Sequence, residues 1–184
     1  MNWRNTSARY GSLTIGLHWL MLLLIAAVYA LMELSGVFPK GSAGSDAMRQ
    51  WHFMLGMLVF VLAVPRLVLR WIMPSPRIEP PPPAWRRRLA GTVEALIYAV
   101  MLSLPLMGWL ILSAKGSPVP FFGLELPALA GANAALARQV REAHEIVANL
   151  GLALIGLHSA AALFHHYWMH DNALLRMLPA RNRP

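Results

Sequence analysis

The sequence predicts an all-α integral membrane protein, a bundle of four membrane-spanning helices. Two compositional facts and one pattern carry that reading. Of 184 residues, 57% are hydrophobic and only 13% are charged, whereas a soluble domain carries charge on about a quarter of its residues. Mean hydropathy is +0.49. Four apolar stretches, at about 14–32, 51–72, 93–112 and 144–168, each approach or exceed the roughly 20 residues a helix needs to cross a bilayer. The whole chain, 1–184, reads as one membrane domain.

The first span, 14–32, follows Arg4 and Arg9. A cleaved leader ending near Ala30 is the competing reading, but His18 and Trp19 interrupt the start of the apolar run and favour a span. The second, 51–72, opens on Trp51-His52 and closes among Arg66 and Arg70. The run Pro80-Pro81-Pro82-Pro83 cannot be helical and separates it from the third, 93–112. Pro118, Pro120 and Pro127 then keep the next gap irregular, and 128–141 reads as a short amphipathic helix on the membrane surface. The fourth span is 144–168.

Orientation follows from Lys and Arg, which accumulate on the cytoplasmic side. The N-terminal tail, the region from Arg66 to Arg88 and the C-terminal tail with Arg176, Arg181 and Arg183 hold eleven of them. The other two gaps hold five: Lys40, Arg49, Lys115, Arg138 and Arg141. Both termini are therefore expected in the cytoplasm. The net charge of +8 sits in the gaps between apolar runs, which points to a lipid bilayer and not to nucleic acid as partner. The absence of Cys excludes disulfides, thiolate metal sites, iron–sulfur clusters and covalently attached c-type haem. No glycine-rich phosphate loop and no nucleophile motif is present.

The chemistry lies in the histidines. Four of seven, His18, His52, His144 and His158, fall in or at the ends of apolar spans, where ionisable residues are costly and mark function. His144 and His158 are 14 residues apart, so on one helix they share a face and stand about 21 Å apart. Gly151 lies midway on the same stripe, leaving room for something bulky on either side. With the topology above, His18 meets His158 near the inner surface, and His52 meets His144 near the outer one. Two imidazoles from different helices at each of two depths are what two stacked b-haems require in a four-helix bundle. Gly56, one turn after His52, gives a flat macrocycle close access. Arg66, 14 residues after His52, either pairs with a haem propionate or snorkels to the inner surface. Metal transport through the histidines, or four structural histidines, are the alternatives. Bis-histidine ligation leaves the iron no open position and favours one-electron transfer.

Those residues resemble the bacterial cytochrome b561 family over nearly the whole chain. The resemblance runs from Tyr10 and His18-Trp19 through Phe38-Pro39-Lys40-Gly41-Ser42, His52 with Gly56, and Arg66-Leu67. It continues in Pro105, Gly108-Trp109, Ser113 to Gly116 and Phe122-Gly123-Leu124, and ends with His144-Glu145, His158 and His165-His166. It implies two b-haems on the four histidines, electron exchange with ubiquinone, and a bacterial inner-membrane location. Within the family, the chain is similar to di-haem members that oxidise superoxide to dioxygen at the outer haem and reduce ubiquinone at the inner one. An alternative is a quinol-linked cytochrome subunit serving another redox partner protein. Lys40, with Arg49, Lys115, Arg138 and Arg141, is expected outside, where positive charge draws in a small anion; ordinary loop charge is the competing reading. His165 continues the stripe about 10 Å beyond His158, placed either to hydrogen-bond a quinone carbonyl and supply its proton or simply to sit at the interface. One departure stands out: many family members carry a histidine where this chain has Glu94, four residues before Tyr98.

Overall fold

A computed structural model describes residues 3–178, so Arg181 and Arg183 lie outside the described residues. Four helices follow the order of the apolar runs: α1 (Ser12–Ser35), α2 (Ala43–Ile72), α3 (Ala84–Ala114) and α4 (Ala134–Tyr167). All four are long and apolar enough to cross a membrane. A two-stranded antiparallel hairpin, β1 (Val119–Phe121) with β2 (Leu124–Leu126), joins α3 to α4. A single 3-10 turn, Leu175–Met177, ends the described chain.

The helices outrun the apolar stretches, and two of the expected connections differ. The segment 128–141 is not a separate surface helix. Asn133 accepts a hydrogen bond from the backbone N–H of Leu136 at 3.1 Å, and α4 runs from Ala134 through the polar turns into the span without a break. It stops at Tyr167, with Trp168 as its C-cap. Likewise α3 begins at Ala84, directly after the proline run, and carries Arg86-Arg87-Arg88 on its first turns. Hydropathy detects only the membrane-buried part of a helix. Charged residues do not end one, whereas proline and a missing cap do. The third gap is also less irregular than its prolines imply. Phe122 and Gly123 both take positive φ, 47° and 87°, as a two-residue hairpin turn requires. The hairpin is tied to α3 where Trp109 donates to the carbonyl of Pro127 at 2.9 Å and Ser113 Oγ accepts from Leu129 N–H at 3.0 Å.

Packing is uneven. The buried core joins Met21 of α1, Val59 and Ala63 of α2 and Met101 of α3, flanked by Leu24, Val28, Leu62 and Ile97. Helix α1 packs on α2, α2 on α3 and α3 on α4, while α4 scarcely approaches α1 or α2. Of the α4 residues only Ala137 and Gly151 are buried. Three helices thus share one apolar core, and the fourth packs on α3 and meets α1 through Tyr29, whose hydroxyl donates to the Ala148 carbonyl at 2.6 Å. Both ends of the described residues lie at the same end of the bundle, where Arg9 donates to the carbonyl of Leu178 at 2.9 Å and Trp19 Nε1 to that of Met177 at 2.9 Å. The hairpin marks the opposite end: Phe122 meets Trp51 of α2 with ring centroids 6.4 Å apart.

Candidate functional site

The gap between α4 and its neighbours is crossed by histidines at two levels. Near the hairpin end, His52 of α2 faces His144 of α4 with ring centroids 6.3 Å apart. Near the terminal end, His18 of α1 faces His158 of α4 at 6.4 Å. Two metal–imidazole bonds of about 2 Å in line, with each ring centre roughly 1 Å behind its nitrogen, place the centroids about 6 Å apart. Both pairs have about that separation between ring centroids. Such an ion has only two protein ligands. Among the described residues, no three His, Cys, Asp or Glu side chains converge as a bare metal would need. A macrocycle that supplies the other four donors fits; a protein-only metal site does not.

The surroundings bear on that fit. His52 Nδ1 lies 3.0 Å from the carbonyl of Val28. Donating its proton there turns Nε2 into the free, lone-pair nitrogen, the usual arrangement behind a metal-bound imidazole. His144 Nδ1 is buried without a hydrogen-bond partner. A β-carbon added at Gly56 meets nothing within 4 Å, so the space expected there is present. Arg66 turns inward and does not snorkel: Nη2 donates to His18 Nδ1 at 2.9 Å, and Nη1 is buried with no partner. That bond puts the His18 proton on Nε2, so ligation through Nε2 requires it to be exchanged. The orphaned Nη1 is a ready donor for a carboxylate such as a haem propionate.

Gly151 needs correction. A β-carbon there falls 2.7 Å from Val100 Cγ1 and 3.3 Å from the Tyr29 hydroxyl, and Tyr29 donates to the carbonyl of Ala148 at 2.6 Å. The glycine lets α3 and α1 close on α4 between the two histidine levels and leaves no room for a ring beside it. Gly151→Val is therefore expected to destabilise the bundle by about 1–3 kcal/mol through overpacking. A thermal unfolding midpoint in detergent equal to that of the unaltered chain rules this out.

The cations expected at the hairpin end separate into two groups. Lys115, Arg138 and Arg141 line one pocket with Ala114 and Asn133, although Arg141 also pairs with Glu145 at 2.8 Å. Lys40 and Arg49 are exposed on the α1–α2 connection and at the start of α2, and neither lines that pocket. At the terminal end, Glu94 is held bidentate by Arg70, at 2.7 and 3.1 Å. His165 is partnered by Asp171, 2.5 Å from its Nδ1. His166 packs edge-on against Tyr167, and His170 takes a left-handed φ of 52°. Asp171 escaped the sequence reading because a turn, which has no periodicity, brings it back to His165. The one available signal was its being the only acidic residue after Glu145.

The family model for prokaryotic cytochrome b561 matches residues 9–180. The chain belongs to the prokaryotic cytochrome b561 family. It is 40% identical to cytochrome b561 homolog 1 of Escherichia coli (strain K12) over 173 residues, which cover 94% of this chain and 98% of that protein. It is 38% identical to a Yersinia pestis protein named "Probable superoxide oxidase CybB", over 94% and 97% of the two chains. Cytochrome b561 homolog 2 of Escherichia coli is 27% identical over 97% and 95%. As a cytochrome b561, the chain is a multi-pass bacterial membrane protein of electron transfer, in a family whose cofactor is b-type haem. The four-helix bundle expected from the apolar runs is the architecture observed.

Proposed function

We propose that this cytochrome b561 is a di-haem superoxide:ubiquinone oxidoreductase of the bacterial inner membrane, with both termini in the cytoplasm. The observation that carries the reading is the pair of histidine pairs, 6.3 and 6.4 Å between ring centroids, at two depths of one bundle. His52 and His144 hold one haem toward the periplasm, and His18 and His158 hold the other toward the cytoplasm. Bound there, the haems supply one-electron transfer between the two faces of the membrane.

The chain's own residues do the rest. Lys115, Arg138 and Arg141 present positive charge at the periplasmic end and raise the local concentration of an anion as small as superoxide. Arg66 offers its free Nη1 to a propionate at the inner level. At the cytoplasmic end His165 faces the membrane interface, where a quinone head group arrives from the lipid, and supplies a proton to its oxygen. The chemistry balances as two superoxide anions losing one electron each to become dioxygen. One ubiquinone takes up those two electrons and two protons to become ubiquinol. The name of the Yersinia pestis relative supports superoxide as the donor.

The test is stopped-flow mixing of superoxide with the purified, haem-loaded protein, followed by addition of a short-chain ubiquinone. Fast haem reduction without any partner protein, then ubiquinol formation, is the expected result. Haem that superoxide leaves oxidised, yet a quinol or a redox protein reduces, assigns the chain instead to a quinol-linked cytochrome subunit.

A further inference from the structure

We infer that Asp171 is the positioning residue for His165 in quinone reduction, holding its ring so that Nε2 alone faces the quinone oxygen. The inference rests on the reading above and names what orients the proton donor.

Helix α4 ends at Tyr167, and the next residues turn back over its end. His170 adopts a left-handed backbone, φ 52°, which is unfavourable for a residue with a β-carbon. That kink returns Asp171 to the preceding turn, where its N–H donates to the His165 carbonyl at 3.1 Å. The carboxylate is buried, 6% exposed, and both its oxygens are used. Oδ2 lies 2.5 Å from His165 Nδ1, and Oδ1 accepts from Ala173 N–H at 2.9 Å.

The turn is itself anchored. Asn172 exchanges hydrogen bonds with the backbone of Glu79 through its N–H and side chain, and Arg176 donates to the carbonyl of Pro76. Arg176 also lies over the Tyr10 ring, 5.7 Å from its centroid. A helix C-terminus needs only a glycine or solvent to finish it. Here a buried carboxylate is directed at one imidazole nitrogen, and two separate segments, the α2–α3 connection and the N-terminal stretch at Tyr10, keep it in place.

The consequence is chemical. With Nδ1–H committed to Asp171, the ring cannot flip; Nε2 is then the lone-pair nitrogen of the neutral ring, and the proton that moves is one it takes up there from cytoplasmic water. His165 passes that proton to the quinone oxygen and takes another from cytoplasmic water, while the Nδ1 proton stays on its bond to Asp171. The electrons come from superoxide, as balanced above. The approach from lipid is aromatic: Phe164 and Trp168 stack, with ring planes 14° apart and centroids 6.3 Å apart. Phe164 stands edge-on to His165 at 6.4 Å. These exposed rings, 53% and 78%, suit a flat quinone head beside the imidazole.

The experiment uses the full-length, haem-loaded protein, reduced anaerobically and mixed with either short-chain ubiquinone or ferricyanide. Ferricyanide accepts an electron without a proton. Asp171→Asn keeps the size of the side chain and an oxygen for Ala173 N–H but removes the charge that fixes the imidazole. Its reoxidation by ubiquinone is expected to slow about 10–100-fold, mainly in kcat, while ferricyanide reoxidises it as fast as the unaltered protein. Asp171→Glu is expected to recover much of the ubiquinone rate. His165→Gln should match Asp171→Asn, and the double variant should be no slower than either single one. A normal ubiquinone rate in Asp171→Asn overturns the inference, and so does equal slowing with both oxidants, which signals a purely structural turn. Reduced unaltered protein that ferricyanide oxidises and ubiquinone does not removes the proposed function itself, a result that no Asp171 variant can mimic.

Discussion

His52→Ala and His144→Ala are each expected to remove the haem nearer the hairpin and to leave the other bound. His18→Ala and His158→Ala are expected to do the reverse. Each change roughly halves the haem released in a pyridine haemochrome assay, and reduced-minus-oxidised spectra lose the same component within a pair and different components between pairs. The reasoning is geometric. His52 and His144 have centroids 6.3 Å apart and His18 and His158 6.4 Å apart, and the two levels are separated by about 21 Å along α4. Either loss breaks the path across the membrane, so superoxide-driven ubiquinol formation should fall to background in all four variants. If His18→Ala and His144→Ala abolish the same spectral component, the pairing is wrong. A structural effect should accompany the chemical one. Helix α4 packs little against α1 and α2 beyond the Tyr29–Ala148 hydrogen bond, so haems held as proposed would add to what ties it to them, and any ligand that binds only the folded state adds stability. The variants should therefore lose α4 more readily to limited proteolysis.

Reversing charge in the hairpin-end pocket is the second large effect. Lys115→Glu combined with Arg138→Glu is expected to slow haem reduction by superoxide about tenfold or more at low ionic strength. The deficit should shrink as salt rises toward 1 M, where the Debye length falls to about 3 Å. Lys40→Glu, outside the pocket, should have the smaller effect. A double variant as fast as the unaltered protein at low salt shows that superoxide is not steered by this pocket. Ubiquinone reoxidation of already reduced protein serves as the control, because the proposed function places it at the other end of the bundle and its substrate is neutral.

The four-helix bundle was legible because lipid imposes a strong rule: a crossing segment must be long, apolar and helical. The juxtaposition of the histidines was legible for a related reason. Helical periodicity relates residues 144 and 158 on one rod, and alternation of span direction sets the depth of 18 and 52 on the others. The helix ends were not legible from hydropathy, since α4 extends ten residues before His144 and α3 begins at Ala84, and helix continuation through polar turns costs little.

What the sequence determined by itself is therefore the part governed by periodicity and by solvent: the number of spans, their order, and which histidines share a level. What only the tertiary structure decided depends on contacts between segments far apart in the chain. Gly151 proved to be a place of close packing against Val100 and Tyr29, not a cradle. Arg66 proved to bond His18 across 48 residues. Lys115 was gathered with Arg138 and Arg141 while Lys40 was left apart. Asp171 was brought to His165 by an irregular turn anchored to the α2–α3 connection. No local rule encodes these pairings, because each is set by how separate helices and loops pack and not by the spacing of residues along one of them.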